Sequence, residues 1–158
     1  MKLLKTEREK FIFHLVKREK QLLLAVLNQY PLIPSAHQPL SKTGGTVQAE
    51  INQRLLDESL AEQRQENKRQ LQELLNDKRR FHDTDTGCRM TLMAPDIEWL
   101  LQVLNDVRVG SWILLGSPEK DVWDFEVNEQ TAPHAWAMEM AGYFQMHLLE
   151  AWHPGAAT

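Results

Sequence analysis

Two stretches of the chain share one pattern, and that pattern decides the predicted fold. Residues 11–30 read FIFHLVKREKQLLLAVLNQY, and residues 88–107 read CRMTLMAPDIEWLLQVLNDV. A shift of 77 residues aligns them with six identities, five of them leucine or valine. Each copy opens with a short apolar run typical of a strand and continues with leucines at helical spacing. The pattern predicts a duplicated strand–helix unit, whose two strands pair as a short two-stranded ribbon.

Helices are expected to make up most of the remaining chain. Residues 47–80 contain neither Gly nor Pro and form one long helix or two that meet near Asp57. Residues 82–87, HDTDTG, are expected to form a polar turn. The predicted helices cover residues 17–30, 47–80, 95–115 and 131–152.

The predicted fold class is therefore mainly α, with four or five helices around the ribbon. Residues 1–158 are expected to form a single helical domain. Two segments rich in Pro and Gly or in acidic residues, 32–46 and 116–131, are predicted loops, and residues 154–158 are predicted to fray.

Composition limits the class of protein. The formal net charge is −4, which argues against a protein whose main role is to bind a phosphate backbone. The single cysteine, Cys88, cannot form a disulfide within the chain, and no stretch approaches the ~20 apolar residues that a membrane-spanning helix needs. These features predict a soluble protein of the reducing cytoplasm with no membrane partner.

The sequence offers little support for catalysis or metal binding. It contains no phosphate loop, no G-x-S-x-G elbow and no G-x-G-x-x-G. His147 and His153 lie six residues apart, so they point about 240° apart around a helix and cannot share one face. Cys88 has no second cysteine to react with and is expected to be a buried, inert thiol. We therefore expect no enzyme activity, no cofactor and no metal site.

Five residues are candidates for contact with a partner. Trp123 and Phe125 lie in an acidic segment, where aromatic side chains ringed by charge suit a protein partner, although they also suit a loop anchored to the core. Asn105, Asp106 and Arg108 interrupt a strongly apolar helix and form either a partner-facing patch or a local hydrogen-bond network. Four other tryptophans are expected in the core. They are Trp99, Trp112, Trp136 and Trp152.

Charge is distributed unevenly along the chain. Residues 1–20 carry seven Lys or Arg and three Glu, whereas residues 119–129 carry five acidic residues and one Lys. Opposed charges of this kind either steer a protein partner or meet each other within the fold. They also leave an alternative function, that of a transcription-linked protein whose basic N-terminal segment contacts nucleic acid through Lys5, Arg8 and Lys10. A homodimer formed through residues 47–80 is a further alternative.

The run EWLLQVLNDVRVGSWILLG at residues 98–116 resembles a bacterial family of unknown function. That family is best known in actinobacteria, is often encoded beside the adaptor of the Clp protease, and includes an oxidative-stress regulator that binds a sigma factor. The resemblance extends to residues 34–37, 55–75 and 139–149. It implies a mostly helical, regulatory or adaptor-like protein with no catalytic residues to carry over.

The resemblance also sets one limit on mechanism. The redox regulator of that family is thought to work through a disulfide between two cysteines, whereas Cys88 is alone here. A disulfide would need a second chain. The sequence thus predicts a non-enzymatic regulatory or adaptor-like protein that acts through protein–protein contacts.

Overall fold

The protein has an α/β fold. The computed structural model describes residues 1–32, 47–118 and 126–153. Its elements in chain order are β1 (Lys2–Glu7), β2 (Lys10–Val16), α1 (Lys17–Leu27), α2 (Val47–Asn76), β3 (Phe81–Thr84), β4 (Gly87–Met93), α3 (Ala94–Leu114) and α4 (Ala132–Trp152). The strands form one antiparallel sheet in the order β1-β2-β4-β3. Helix accounts for 63% of the described chain, so the helical segments were predicted correctly in kind.

The predicted mainly α class was correct in its four helices but wrong in its short ribbon, because the sheet has four strands and not two. Both missed strands, β1 and β3, lie at the edges of the sheet. Almost every side chain of β1 is exposed, so its sequence KLLKTE lacks the alternation of buried and exposed residues that marks a half-buried strand. The expected polar turn at residues 82–87 is mostly strand, and only Asp85 and Thr86 connect β3 to β4.

The two predicted strands do pair with each other. β2 and β4 form an antiparallel ladder from Lys10 opposite Met93 to Val16 opposite Gly87. Its central pair is Phe13 with Met90, two residues that are 77 positions apart. A local two-fold axis through this pair therefore relates the two strands by the same shift that aligns the sequences.

The same 77-residue shift relates other features of the two halves. The first hairpin closes with Glu7 opposite Lys10, and the second closes with Thr84 opposite Gly87. Each inner strand runs directly into a helix, and an acidic residue in the first helical turn accepts the last strand N–H. Glu19 accepts from Val16 at 3.0 Å, and Asp96 accepts from Met93 at 2.7 Å.

The hydrophobic core lies between one face of the sheet and the helices. Alternate residues of β2 and β4 point into it, and α1, α3 and α4 contribute leucines and small residues. Burial of each large apolar side chain contributes about 2 kcal/mol, which explains why the two inner strands are held firmly. The fully buried side chains of largest volume include Phe13, Leu15, Leu23, Leu27, Met90, Leu92, Leu100, Leu104, Phe144 and Leu148.

Helix α2 is continuous over 30 residues, about 45 Å, so the alternative of two helices meeting near Asp57 is wrong. Its buried residues, Arg64, Asn67, Leu71 and Leu74, all lie in its C-terminal half. The N-terminal half instead exposes an apolar stripe at helical spacing, formed by Val47, Ile51 and Leu55. The helix is thus attached to the body of the domain by one end.

The structure describes only part of the predicted loops and none of the predicted frayed tail. Parts of the expected loops, residues 33–46 and 119–125, and the expected frayed tail at 154–158 lie outside the described residues. Within the described ranges, no helix combines the length and the apolar composition needed to cross a membrane.

Candidate functional site

The three polar residues predicted on α3 are exposed, but they do not form one patch. Val107 between them is buried, whereas Asn105, Asp106 and Arg108 face solvent. Asp106 and Arg108 are two residues apart on a helix and therefore point about 200° apart. Asp106 faces α2 and Arg108 faces α4, so the structure separates a pair that the sequence placed together.

Asp106 belongs to a polar contact that holds α2 against the domain. Its Oδ2 lies 3.7 Å from Nε of the buried Arg64. One turn further along α2, Asn67 Nδ2 donates to the hydroxyl of Tyr30 at 3.1 Å, and Trp99 Nε1 donates to Asn67 Oδ1 at 3.1 Å. These bonds fix α2 to the end of α1 and to α3. Asp106 thus lies in an ion contact with α2, while its role toward a partner stays a prediction.

Arg108 lines a groove of about 390 Å³ along the outer side of α4. On α4 the lining residues recur at helical spacing and begin at Gly142, whose missing side chain leaves space beside the guanidinium. A Cβ at Gly142 would lie 3.9 Å from Arg108 Nε. The other lining residues are Gln145, Met146, Leu149, Glu150 and His153.

Apolar side chains extend the groove into a larger exposed surface. Met146 and Leu149 are each nearly half exposed, and Trp112, one turn from Arg108 on α3, is 40% exposed. We call this region the α3–α4 surface and define it by Arg108, Trp112, Gly142, Met146 and Leu149. Exposed apolar residues clustered beside a cation are typical of protein-binding sites.

The prediction that Trp112 lies in the core was wrong. Its indole is exposed, and its Nε1 donates to the carbonyl oxygen of Pro118 at 3.2 Å. The other three tryptophans, Trp99, Trp136 and Trp152, pack against the core as expected. Periodicity placed Trp112 in the core because α3 is apolar on almost every side, so the sequence does not reveal which apolar side is left exposed.

The two ends of the groove carry opposite charges. Arg108 supplies a cation beside Gly142, and Glu150 supplies a carboxylate eight residues further along α4, about 12 Å away. Glu150 Oε2 lies 3.6 Å from His147 Nδ1. Partial burial and the nearby amino group of Met1 lower the pKa of His147, so a neutral imidazole leaves the Glu150 charge largely uncompensated at pH 7.

Cys88 is not part of this surface. Its side chain is buried in β4, and loss of hydration raises the pKa of the thiol to about 11. A buried, protonated thiol is a poor nucleophile, which agrees with the predicted inert role. Within the described ranges, no three His, Cys, Asp or Glu side chains lie close enough together to hold a metal ion.

Two predicted contact residues, Trp123 and Phe125, lie outside the described residues, so their role stays a prediction. The sequence reasoning missed the α4 half of the surface, since Gly142, Met146 and Leu149 were not singled out. Their spacing of four and three residues was the available signal. It was hidden because the core residues of α4 follow the same helical spacing on another side.

Known proteins add no further constraint. Comparison of the chain with protein-family models, with curated proteins and with solved structures finds no match. The family resemblance of residues 98–116 therefore stays a prediction.

Proposed function

We propose that this protein is a non-enzymatic regulatory or adaptor-like protein that binds a protein partner through the α3–α4 surface. The observation that carries the proposal is the groove beside Arg108, with Met146, Leu149 and Trp112 exposed around it. Tryptophan and arginine, here Trp112 and Arg108, are enriched among the minority of interface residues whose truncation costs more than about 1 kcal/mol. The single cysteine is consistent with action in the reducing cytoplasm.

The shape and charge of the groove favour one kind of partner segment. The groove follows α4 for three turns, which suits an amphipathic helix laid along it. Arg108 attracts a carboxylate and Glu150 attracts a cation about 12 Å away, a distance that eight residues of helix cover. The proposed partner segment is therefore an apolar-faced helix with an acidic residue about two turns from a basic residue.

Site-specific cross-linking tests this proposal. A photoreactive phenylalanine analogue replaces Met146 in one sample and Leu55, a somewhat more exposed apolar residue on α2, in a matched control. After irradiation in the native cell and nuclease treatment, we expect one dominant protein adduct from position 146 only. Mass spectrometry of the adduct should map it to a helical segment with the predicted charge spacing.

Two outcomes contradict the proposal. The first is an adduct pattern at position 146 no stronger than that at position 55. The second is an adduct that persists unchanged when Arg108 is replaced by Glu, because a charge reversal inside the groove must repel the acidic end of the partner.

One observation supports the alternative function in nucleic-acid binding. Lys5 and Lys10 are exposed on the face of the sheet that the helices leave open, so the basic N-terminal segment is accessible. Arg8 lies in the turn between β1 and β2. This alternative predicts that the triple replacement of these cations by Glu abolishes salt-sensitive DNA binding in a mobility-shift assay.

A further inference from the structure

The face of the sheet opposite the core is open. Along β2 and β4, buried residues alternate with residues that are partly or fully exposed on the other face. The open face is also the one that no described helix covers. Antiparallel sheets commonly carry one solvated face, on which polar residues alternate with the buried residues of the other face.

Cations are concentrated on this face. One row of paired residues crosses all four strands in the order Lys2, His14, Arg89 and His82. Lys2 and Arg89 are the two cations of this row. Neighbouring strands are about 4.8 Å apart, so the row spans about 14 Å. Within the described chain, no ion pair involves Lys2 or Arg89, so their charges are available to a ligand.

The rows beside this one add two more cations and an apolar centre. Lys5 lies opposite Ile12, Ile12 lies opposite Thr91, and Lys10 lies opposite Met93. Ile12 and Thr91 are half-buried in the middle of the face, and Met93 is exposed.

Among the described strand residues of this face, one carboxylate, that of Glu7, offsets these four cations. Glu7 accepts a hydrogen bond from Lys5 Nζ at 2.7 Å, which lowers the pKa of Glu7. The face therefore has a net positive charge, although the whole protein has a charge of −4.

We infer that the open sheet face binds an acidic polypeptide segment that also carries apolar side chains. The ring of cations matches the carboxylates, and the half-buried Ile12 with Met93 offers apolar contact area. Proteins that bind single-stranded nucleic acid on a sheet stack bases on aromatic side chains, and this face carries no Phe, Tyr or Trp among the described residues. The site is separate from the α3–α4 surface, so each stands or fails alone.

Fluorescence anisotropy tests the inference with a defined probe, a fluorescein-labelled 12-residue peptide of alternating Glu and Leu. We expect saturable binding at 50 mM salt that weakens as salt rises. Arg89→Glu and Lys5→Glu should each weaken binding by about fivefold to tenfold. The matched control Lys68→Glu, an exposed cation on α2, should bind like the wild type.

Circular dichroism keeps the test independent of folding, and only variants with the wild-type spectrum are compared. Arg89→Gln provides a milder second variant, with a loss of about twofold to threefold. The inference is overturned if both sheet variants bind the peptide as tightly as Lys68→Glu does. It is also overturned if a 12-nucleotide single-stranded RNA binds more tightly than the peptide and loses affinity with Arg89→Glu.

Discussion

Replacement of Asn67 by Leu is the sharpest test of how α2 is held to the domain. Asn67 is 7% exposed and has the same number and branching of side-chain heavy atoms as leucine, so the change removes polar atoms without opening a cavity. Three hydrogen bonds disappear, one donated to the hydroxyl of Tyr30, one accepted from the indole of Trp99 and one accepted from the side-chain amide of Gln63, which is exposed and can bond to water instead. The hydroxyl and the indole N–H then remain in a largely apolar environment without a partner.

The expected loss of stability follows from these groups. Each neutral hydrogen bond contributes about 1 kcal/mol, and each buried group left without a partner costs about 1 to 3 kcal/mol. Added apolar burial by leucine returns about 1 to 2 kcal/mol. We therefore expect the free energy of unfolding to fall by about 2 to 3 kcal/mol.

Urea unfolding followed by circular dichroism at 222 nm measures this loss. With a slope of about 2 kcal/mol per molar urea, the midpoint should fall by about 1 to 1.5 M. Gln65→Leu, an exposed change on the same helix, is the control and should alter the free energy of unfolding by no more than about 0.5 kcal/mol.

A double-mutant cycle with Tyr30→Phe separates the hydrogen bond from general packing. Loss of the hydroxyl should destabilise the wild type by about 1 kcal/mol but should cost almost nothing once Asn67 is leucine, since no partner is left. The reasoning is refuted if Asn67→Leu costs less than about 1 kcal/mol, or if the two changes are simply additive.

Three further changes have defined outcomes. Gly87→Ala should destabilise the protein by more than about 3 kcal/mol in urea unfolding, because its Cβ would lie 1.9 Å from the carbonyl oxygen of Leu15 on β2. In the control Gly116→Ala the new Cβ meets no atom, and the positive φ of 88° should cost only about 1 kcal/mol. Equal losses of stability in the two variants would contradict this account. Burial raises the pKa of Cys88 from 9.0 to about 11, so the thiol stabilises the folded state fully below pH 9, and this contribution of up to about 2 to 3 kcal/mol should be lost as pH rises toward 11. Cys88→Ala should remove that part of the pH dependence of stability in thermal melts at pH 8 and 10.5. Rapid labelling of the native thiol by Ellman's reagent at pH 8 would contradict its burial. Gly142→Ala should stabilise α4 by up to about 1 kcal/mol, since the new methyl group makes only ordinary contact with Arg108. The same change narrows the groove and should therefore lower the yield of the cross-linked adduct at position 146. An unchanged adduct yield would show that the partner does not use the groove.

Part of the candidate site could be predicted from the sequence. Arg108 was singled out because a charged residue interrupts a strongly apolar helix, and it does line the groove. Asp106 was singled out for the same reason, but Arg64 on α2 lies against it, 3.7 Å from its carboxylate. The sequence of a single helix cannot show which neighbour each of its sides will meet. It therefore does not separate the role of Asp106 beside α2 from that of Arg108 in the groove.

The open sheet face illustrates a second limit. The basic character of residues 1–20 was evident, but its alignment with His14, His82 and Arg89 depends on the pairing of four strands. Register between β2 and β4 joins residues more than 70 positions apart, and no local pattern encodes it.

The sequence by itself determined the elements whose signals are local. The paired strand–helix segments, the helical content of residues 47–76 and the start of α3 at Ala94 all follow from periodicity, from the lack of Gly and Pro, and from Pro95 with Asp96.

Only the tertiary structure decided the rest. The edge strands β1 and β3 gain their order mainly by pairing with β2 and β4, since Phe81 of β3 is the one buried residue of these two strands. The same holds for the exposure of Trp112 and the separation of Asp106 from Arg108. Each depends on which elements meet, because burial and hydrogen bonding between distant residues are properties of the assembled layers.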